Sequence, residues 1–284
     1  MLAIAGTVPE ENFTLICGDV RLEKDHLKVC DRHVPISRGT PALLAAAAKA
    51  CDILGLTPPF GYLVGDTGLG HGSRRLYDFL SKNLMQSQYQ VIVFHYLQPD
   101  VDWHNRILFT LEKMNPRPII VADAGYMYAA KMSGQAGAYD LFTPDLGEMA
   151  FLADEEAPHP FYTRGFILSE ESRVPEQIER AYANKNASRL LLVKGEKDYI
   201  ASSDGILHTV NEPCEENMEP IGGTGDTLTG IAAALIASGR PVQEAALLAA
   251  KANRVMGKSA EPTPASNIPD LLPFLPKALK KVIR

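Results

Sequence analysis

A glycine-rich segment around residue 223 is the part of the sequence best suited to chemistry on an anion. Residues 221–230 are Ile-Gly-Gly-Thr-Gly-Asp-Thr-Leu-Thr-Gly, and they run directly into the apolar stretch 231–237. Glycines let a backbone turn tightly and approach a ligand closely. The first NH groups of a helix have no partner within the helix, and they carry the positive end of its dipole. The segment therefore predicts an anion site at the start of a helix.

Asp226 is the residue of this segment that a simple phosphate cradle does not explain. A carboxylate beside bound phosphate is repelled unless it has another task, and removing a proton from an attacking hydroxyl is such a task. The alternative interpretation is that residues 222–225 form a plain turn and that Asp226 caps the helix. We favour phosphoryl transfer, because the segment is long, opens a helix and lies late in an α/β pattern.

Strand and helix patterns alternate along the chain, and they predict the elements that position this segment. Strands are expected at 13–17, 61–65, 91–94, 118–121 and 189–193, with a hairpin over 199–208. Helices are expected from Pro41, with Thr40 as its cap, and over 73–84, 101–114, 226–237 and 241–256. The alternation predicts an α/β fold, a mostly parallel central sheet with helices on both faces, forming a single domain over residues 1–284. Such sheets bind ligands at the carboxyl ends of their strands.

Composition and charge exclude several classes of function. The 284 residues are 46% hydrophobic and 22% charged, which is typical of a globular protein. The net charge of -6 has the wrong sign for binding nucleic acid through its phosphates. The apolar stretches fall short of the ~20 residues that cross a bilayer, and no signal peptide is recognisable. Four cysteines without C-x-x-C spacing indicate free thiols. We therefore expect a cytoplasmic protein with neither nucleic acid nor membrane as partner.

Three segments resemble the ribokinase superfamily, and within it the carbohydrate-kinase-like domain of ATP- or ADP-dependent NAD(P)H-hydrate dehydratases. Residues 222–230 are similar to the family's anion hole and catalytic Asp. Residues 142–150, Phe-Thr-Pro-Asp-Leu-Gly-Glu-Met-Ala, resemble its T-P-x-x-x-E-M-A element. Residues 191–195, Leu-Leu-Val-Lys-Gly, resemble its strand-Lys-Gly element. The resemblance is strong over 118–240 and weaker elsewhere, where Cys17-Gly18-Asp19 and residues 38–45 are similar to its first strand and first helix.

The resemblance implies a ribokinase-like fold and phosphoryl transfer from ATP or ADP with Mg²⁺. It implies that backbone NH groups of Gly223, Thr224 and Gly225 stabilise the moving group while Asp226 deprotonates the acceptor. The expected nucleotide contacts are Gly222, Lys194, Gly195 and Asn253, and the expected Mg²⁺ contact is Glu148. In the dehydratases, phosphate placed on the hydrated nicotinamide is eliminated, which restores NAD(P)H. Members of the superfamily often self-associate, so a homo-oligomer is expected.

The sequence departs from the family where the acceptor would bind. In place of a Gly-Pro-Gly-Leu-Gly loop, residues 95–100 are His-Tyr-Leu-Gln-Pro-Asp, and residues 122–125 keep the family's Asp-Ala-Asp-Ala element only in part. A second glycine cluster, residues 65–74, fails the P-loop template because His71 stands where Lys is required. A binding turn and a merely tight turn are both open interpretations of this cluster. The expected substrate contacts are Asp66, Gly68 and Asp123.

The sequence leaves the acceptor and even the class of function open. Hydrated NAD(P)H is one acceptor, and a small alcohol, either a sugar or a vitamin precursor, is the other. A nucleotide-binding sensor without turnover is the alternative from another class, against which the intact Asp226 argues. The seven histidines form no recognised metal motif, so a structural or solvent-facing role is expected for each, with His71 and His95 the least secure. The acidic stretch 145–180 is expected to be a solvated face.

Overall fold

An eleven-stranded sheet runs through the computed structural model, which describes residues 1–156 and 173–283. Its strands are β1 (Leu2–Val8), β2 (Ile16–Glu23), β3 (His26–Val29), β4 (Arg32–Pro35), β5 (Phe60–Gly65), β6 (Val91–His95), β7 (Ile119–Asp123), β8 (Leu141–Phe142), β9 (Leu190–Val193), β10 (Asp198–Ser202) and β11 (Gly205–Val210). Their order across the sheet is β11-β10-β9-β8-β7-β6-β1-β5-β2-β3-β4.

Helices connect most of the parallel strands. They are α1 (Thr40–Ile53), α2 (His71–Asn83), α3 (Val101–Glu112), α4 (Gly125–Met132), α5 (Leu146–Ala153), α6 (Val174–Ala183), α7 (Thr224–Ala237), α8 (Val242–Ala260), α9 (Ile268–Leu271) and α10 (Leu275–Val282). Short 3-10 turns lie at Leu84–Gln86, Ala136–Ala138, Glu216–Met218 and Leu272–Phe274. None of the described helices combines the length and apolar character that a bilayer span requires.

The six strands from β5 to β9 across the sheet centre are parallel, so their carboxyl ends meet at one edge. In the register of β6, His95 lies beside Gly6 of β1 on one side and beside Asp123 of β7 on the other. The pairs β9–β10, β10–β11 and β5–β2 are antiparallel, as are those of the β2–β3–β4 meander. The prediction of a mostly parallel sheet is therefore confirmed.

Helices cover both faces of the sheet, and each face has its own hydrophobic core. One core joins α1, α7, α8 and α10 to side chains such as Ile4 of β1. The other joins α2 to α6 to alternate residues of the same strands, such as Ala5. All five residues of β6 are buried, as expected of a strand covered on both faces. The prediction of helices on both faces is confirmed.

Helices α1 and α7 cross in close contact, and Gly230 makes this possible. A Cβ at Gly230 would lie 2.2 Å from the carbonyl oxygen of Leu43 on α1, so no larger residue fits between the two backbones. The close crossing brings the first turn of α7 beside the first turn of α1. Asp226 consequently lies next to Gly39, the residue that precedes α1.

Three local predictions near the N-terminus are wrong. Cys17-Gly18-Asp19 does not form the first parallel strand but lies in β2, antiparallel to β5. The first parallel strand is β1, which is buried throughout, and the meander β2–β4 separates it from α1. The strand expected at 13–17 begins only at Ile16. Thr40 does not cap α1, because Gly39 occupies that position and the Thr40 hydroxyl faces His95 instead.

Two other expectations have mixed outcomes. In the acidic stretch 145–180, Glu148 is buried rather than solvated, and Glu170 and Glu171 lie outside the described residues. The hairpin expected over 199–208 is confirmed as β10–β11. That the chain forms a single domain stays a prediction.

Candidate active site

Four charged or titratable side chains meet at the carboxyl edge of the parallel strands. His95 ends β6, Asp123 ends β7, and Lys194 follows β9. Asp226 reaches the same place from the first turn of α7. His95 and Asp123 are fully buried, while Asp226 is partly accessible from outside. Strands and a helix that are distant in sequence thus build one polar site at this edge of the sheet.

His95 links Asp226 to the start of α1. Its Nε2 lies 3.0 Å from Oδ1 of Asp226, and its Nδ1 lies 3.0 Å from Oγ1 of Thr40. The other carboxylate oxygen of Asp226 accepts the NH of Gly39 at 2.6 Å. Because an ionised carboxylate only accepts hydrogen bonds, Nε2 must carry the proton, and Nδ1 of a neutral ring then accepts from Thr40. The orientation of Asp226 is therefore fixed from two sides.

The surroundings of Asp226 keep it ionised. Burial by itself would raise the pKa of this carboxyl, but the hydrogen bond from His95, the Lys194 charge and the Gly39 NH outweigh it. The pKa of Asp226 consequently lies below its usual range. A carboxylate that is ionised at neutral pH and partly accessible can accept a proton from a hydroxyl placed beside it.

Lys194 and Asp123 form a buried ion pair beneath this carboxylate. Nζ of Lys194 lies 2.9 Å from both carboxylate oxygens of Asp123. Asp123 also accepts the hydroxyl of Thr229 at 2.7 Å, and its Oδ2 lies 3.7 Å from Nε2 of His95. Burial would lower the pKa of Lys194, but Asp123 and the neighbouring carboxylates raise it above its usual range. Lys194 is thus a fixed positive charge at the site.

The glycine-rich turn lies against the end of the Lys194 side chain. Gly223 precedes α7 with a φ of 104°, a left-handed conformation that favours glycine. In the described part of the chain, the NH groups of Gly223, Thr224 and Gly225 donate to no other residue. A Cβ at Gly225 would lie 3.5–3.7 Å from the end of the Lys194 side chain. The unpaired NH groups and the ammonium group together form a cradle for an anion.

Two neighbouring residues of α8 hold the walls of this cradle. Asn253 donates to the carbonyl of Thr224 at 3.1 Å and accepts the hydroxyl of Thr227 at 2.8 Å. Arg254 pairs with Asp198 at 2.7 Å and donates to the carbonyls of Gly195 and Glu196 at 3.1 and 2.7 Å. The Asn253 amide is engaged by the protein, and its expected contact with the nucleotide stays a prediction. The sequence analysis did not single out Arg254. The signal that could have identified it is an Arg within the apolar pattern of α8, where the structure shows it buried.

The buried Glu148 side chain completes the N-terminal capping box of its own helix, α5. Its carboxylate accepts the NH of Asp145 at 2.8 Å, while the Asp145 carboxylate accepts the NH of Glu148, which together form a capping box. The hydroxyl of Tyr128 donates to its second oxygen at 3.3 Å. Burial, followed by the charge of Asp145, raises the pKa of Glu148 well above its usual range. A cation nearby would favour the ionised form, and the expected contact of Glu148 with Mg²⁺ stays a prediction.

Asp66 has a local role in the second glycine cluster. Its Oδ1 accepts the NH groups of Gly68 and Gly70 at 3.0 Å, and its Oδ2 accepts the NH and the hydroxyl of Ser73 at 2.8 Å. The carboxylate thus fills the anion position that this turn offers. The geometry favours the tight-turn interpretation of residues 65–74. The expected substrate contacts of Asp66 and Gly68 stay predictions.

The structure also places at the site three residues that were not among the expected site residues. Arg38 packs against Gly222 at the rim of the cradle, where a Cβ on the glycine would lie 3.5 Å from it. Thr40 and Tyr96 contact His95 from α1 and from the loop after β6. The signal for His95 was its predicted position at a strand end, but nothing in the sequence pairs it with a residue so far along the chain. His71, the other histidine singled out, is exposed at the start of α2.

Comparisons with known proteins agree with this arrangement. The carbohydrate-kinase family model described as NAD(P)H-hydrate dehydratase matches residues 77–275, which is more than half of the chain. An uncharacterized protein of Methanocaldococcus jannaschii is 40% identical over 221 residues, which cover 78% of this chain and 90% of that protein. The ADP-dependent (S)-NAD(P)H-hydrate dehydratase of Cenarchaeum symbiosum is 31% identical over 163 residues. That alignment covers 57% of this chain and 52% of the Cenarchaeum protein, about half of its length.

Solved structures support the fold. A ribokinase-like superfamily protein of Enterococcus faecalis superimposes with a TM-score of 0.59 at 15% identity. The superposition covers 99% of this chain and 87% of that chain. At this identity the similarity concerns the fold alone, and it agrees with the strand order and the two helical layers. With the ribokinase-like fold and the family match together, the chain belongs to the NAD(P)H-hydrate dehydratase family of enzymes.

Proposed function

We propose that this protein transfers a phosphoryl group from ATP or ADP, with Mg²⁺, to the hydroxyl of hydrated NAD(P)H and thereby repairs the cofactor. The observation that supports this most is the position of Asp226. An ionised and partly accessible carboxylate lies in the first turn of α7, directly beside three unpaired backbone NH groups and the Lys194 charge. A base next to an anion cradle is the arrangement that phosphoryl transfer to a hydroxyl requires.

The cradle suits the phosphates of a nucleotide. The NH groups of Gly223, Thr224 and Gly225 would stabilise charge on the transferring group, as donors already aimed at a developing charge do. Lys194 would balance the negative phosphates, and Gly222 and Gly195 lie at the exposed rim where a larger ligand has room. Asn253 would act by holding the turn in shape. This assignment makes electrostatics and positioning the main sources of rate.

Magnesium would be held by Glu148, directly or through water. Burial and the charges of Asp145 and Asp123 raise the pKa of this carboxyl against the opposing charge of Lys194, and a bound cation would favour its ionised form. A bound Mg²⁺ supplies neutralisation of phosphate charge. The protein's own part is to keep the carboxylate oriented through the Asp145 and Tyr128 hydrogen bonds.

Two proton transfers accompany the proposed reaction, and Asp226 and the departing phosphate accept the two protons. Asp226 takes the proton of the ring hydroxyl, the oxygen forms a bond to the phosphorus, and the bond to the nucleotide's bridging oxygen breaks. The carbon–oxygen bond of the phosphorylated ring then breaks, and the departing phosphate takes a proton from the neighbouring carbon as the ring double bond returns. Asp123 would help by keeping Lys194 in place through their ion pair.

A small-molecule kinase is the second candidate. The observation in its favour is that the buried His95, which lies beside Asp226, begins residues 95–100, where the dehydratase family has a Gly-Pro-Gly-Leu-Gly loop. This substitution changes the acceptor side of the site and leaves the anion cradle intact. A sugar or a vitamin-precursor alcohol would then keep its phosphate. A sensor without turnover would not need an ionised Asp226 in this position.

One assay separates these candidates. The protein is incubated with Mg²⁺ and either ATP or ADP, and with NADH hydrate or a panel of alcohols. Recovery of the absorbance of reduced nicotinamide supports the dehydratase, and accumulation of a phosphorylated alcohol supports the kinase. Nucleotide binding without either product supports the sensor. If no nucleotide raises the melting temperature, the glycines are only turns.

The Asp226→Asn variant tests the base itself. We expect turnover to fall by about 10²–10⁴-fold, because general base catalysis is lost, while nucleotide affinity stays the same. Asp204→Asn, in the turn between β10 and β11, is the matched control and should keep full activity. Unchanged turnover in Asp226→Asn would remove this carboxylate from the mechanism.

Sedimentation velocity of the same samples tests the expected homo-oligomer.

A further inference from the structure

Tyr96, the residue after β6, is held in an unusual backbone conformation beside the candidate base. Its φ is 54°, a left-handed value that residues other than glycine rarely adopt. Its carbonyl accepts the hydroxyl of Thr7 at 2.9 Å, which ties this conformation to β1. Strain of this kind persists only where the surrounding structure holds it, and it is concentrated at functional sites.

The phenol ring of Tyr96 is directed to the mouth of the site. Its side chain remains 50% exposed, although tyrosine is a large aromatic residue. The ring packs edge to face on His95, with 4.6 Å between ring centroids and 78° between planes. A Cβ at Gly39 would lie 3.6 Å from it, so one side of the ring faces the start of α1. Both neighbours of the ring are therefore direct partners of Asp226.

The electrostatic surroundings place the phenol near the reacting atoms. Desolvation raises the pKa of Tyr96, and the negative charges of Asp226, Glu148 and Asp123 raise it further, in that order. Of these carboxylates, Asp226 is the candidate base, Glu148 is the proposed magnesium contact and Asp123 belongs to the buried ion pair. The Tyr96 ring is therefore accessible and lies within electrostatic range of all three carboxylates.

We propose that Tyr96 is a specificity-determining residue that stacks on a flat, conjugated ring of the acceptor and so holds the acceptor hydroxyl toward Asp226. This inference rests on the proposed function and narrows its substrate class. Hydrated nicotinamide keeps a ring double bond conjugated with its carboxamide, so most of its ring atoms share a plane. Offset stacking of such a plane on a phenol ring adds to binding beyond the area that it buries.

Substitutions at this position separate stacking from a structural role. Tyr96→Phe keeps the ring and should keep the KM for NADH hydrate within about twofold. Tyr96→Leu keeps the bulk but loses the ring, and its KM should rise about 3–10-fold with kcat nearly unchanged, which is the range expected for a lost aromatic pair. Phe109→Leu, an exposed aromatic on α3, is the matched control. Equal KM values for wild type and Tyr96→Leu would overturn the proposal.

The Tyr96→Gly variant tests whether misfolding, rather than loss of the ring, explains a raised KM. Glycine relieves the left-handed φ, which offsets part of the entropy that glycine adds to the unfolded chain and of the lost ring contacts, so this variant should still fold and unfold cooperatively. It should nevertheless show the raised KM of Tyr96→Leu and an unchanged Kd for ADP. A KM that follows the melting temperature across the three variants, rather than the presence of the ring, would contradict the assignment.

A binding measurement makes the inference independent of turnover. Saturation-transfer NMR is recorded with NADH, and with hydroxymethylpyrimidine and a hexose, on wild type and Tyr96→Leu. Transfer to the ring protons of a flat compound that is lost in Tyr96→Leu supports the stacking role, even where NADH hydrate proves not to be a substrate and the proposed function fails. Transfer to the hexose alone, transfer equal in both proteins, or none in either, overturns it.

Discussion

Nε2 of His95 and Oδ1 of Asp226 lie 3.0 Å apart, and this hydrogen bond joins the end of a sheet strand to the first turn of a helix 131 residues later. Because His95 is fully buried and Asp226 is partly accessible, one end of the pair is fixed and the other can meet a substrate. The bond also favours the ionised form of the carboxyl. The imidazole of His95 thus acts together with the Gly39 NH and the Lys194 charge in orienting the candidate base and keeping it ionised.

Replacing His95 should disturb the base without disturbing nucleotide binding. In His95→Ala, Asp226 loses its hydrogen bond while burial still acts on it, so its pKa should rise. The acidic limb of the pH–rate profile of kcat should then move to higher pH, and kcat at neutral pH should fall about 10-fold or more. His95→Gln, which can still donate from a nearby position, should recover part of the loss.

The controls for this prediction are simple. His71→Ala, at the exposed start of α2, should leave the pH–rate profile unchanged. The Kd for ADP, measured by calorimetry, should be the same in all four proteins. An acidic limb that stays in place in His95→Ala would show that the histidine does not govern the protonation of Asp226.

Arg254 should affect nucleotide binding through the Lys-Gly loop. Its guanidinium joins Asp198 to the carbonyls of Gly195 and Glu196, and a planar fork is needed to reach all three. In Arg254→Lys the charge stays but the fork is lost, so the KM for the nucleotide should rise about 10-fold with a smaller change in kcat. Arg254→Met leaves Asp198 without this cation and should cost about 3–5 kcal/mol of stability.

Calorimetric titration with ADP and urea unfolding measure these two effects. Lys258→Met is the matched control on the same helix, because Lys258 makes an exposed ion pair with Glu215 and should contribute little. If Arg254→Lys binds ADP as tightly as the wild type does, the residue stabilises the fold but does not position the loop.

Features that depend on a local sequence pattern could be predicted, whereas features that depend on contacts between distant residues could not. Four of the six parallel strands, β5, β6, β7 and β9, and the helix α7 could be predicted because their apolar patterns are local, whereas β1 and β8 were not predicted. Asp226 and Lys194 could be singled out because their motifs are contiguous. The meander β2–β4 was missed because its strands alternate between buried and exposed positions over only a few residues. The pairing of His95 with Asp226 depends on the crossing of α1 and α7, which no local pattern records.

Asp66 separates the two interpretations of the second glycine cluster. In Asp66→Ala, three backbone NH groups and the Ser73 hydroxyl lose their common acceptor, so we expect a loss of about 2–4 kcal/mol of stability. Once folded, this variant should keep its KM for the acceptor within a fewfold. Urea unfolding and steady-state kinetics are measured together, with Ser73→Ala as a milder companion. A raised KM at unchanged stability would instead support the substrate contact expected from the sequence.

His104 should make the stability of the fold depend on pH. It is fully buried, its Nε2 lies 2.7 Å from the hydroxyl of Tyr139, and its Nδ1 lies 3.2 Å from that of Ser133. Burial lowers the pKa of this imidazole from 6.5 to about 4, against a smaller opposite effect of Asn105. The unfolded chain therefore binds more protons between these two values. Stability is complete above about pH 6.5 and decreases as the pH falls toward 4.

The size of this effect can be isolated by comparison with a variant. At pH 4.5 the charged unfolded form should lower the free energy of unfolding by roughly 2–3 kcal/mol relative to pH 7. Carboxyl groups also titrate in this range, so urea unfolding of the wild type is compared with that of His104→Gln, which cannot titrate. The variant should be less stable at pH 7 yet lose less on acidification, whereas His208→Gln, on the surface hairpin, should behave as the wild type does. Parallel pH curves for wild type and His104→Gln would mean that the buried imidazole takes up its proton without unfolding.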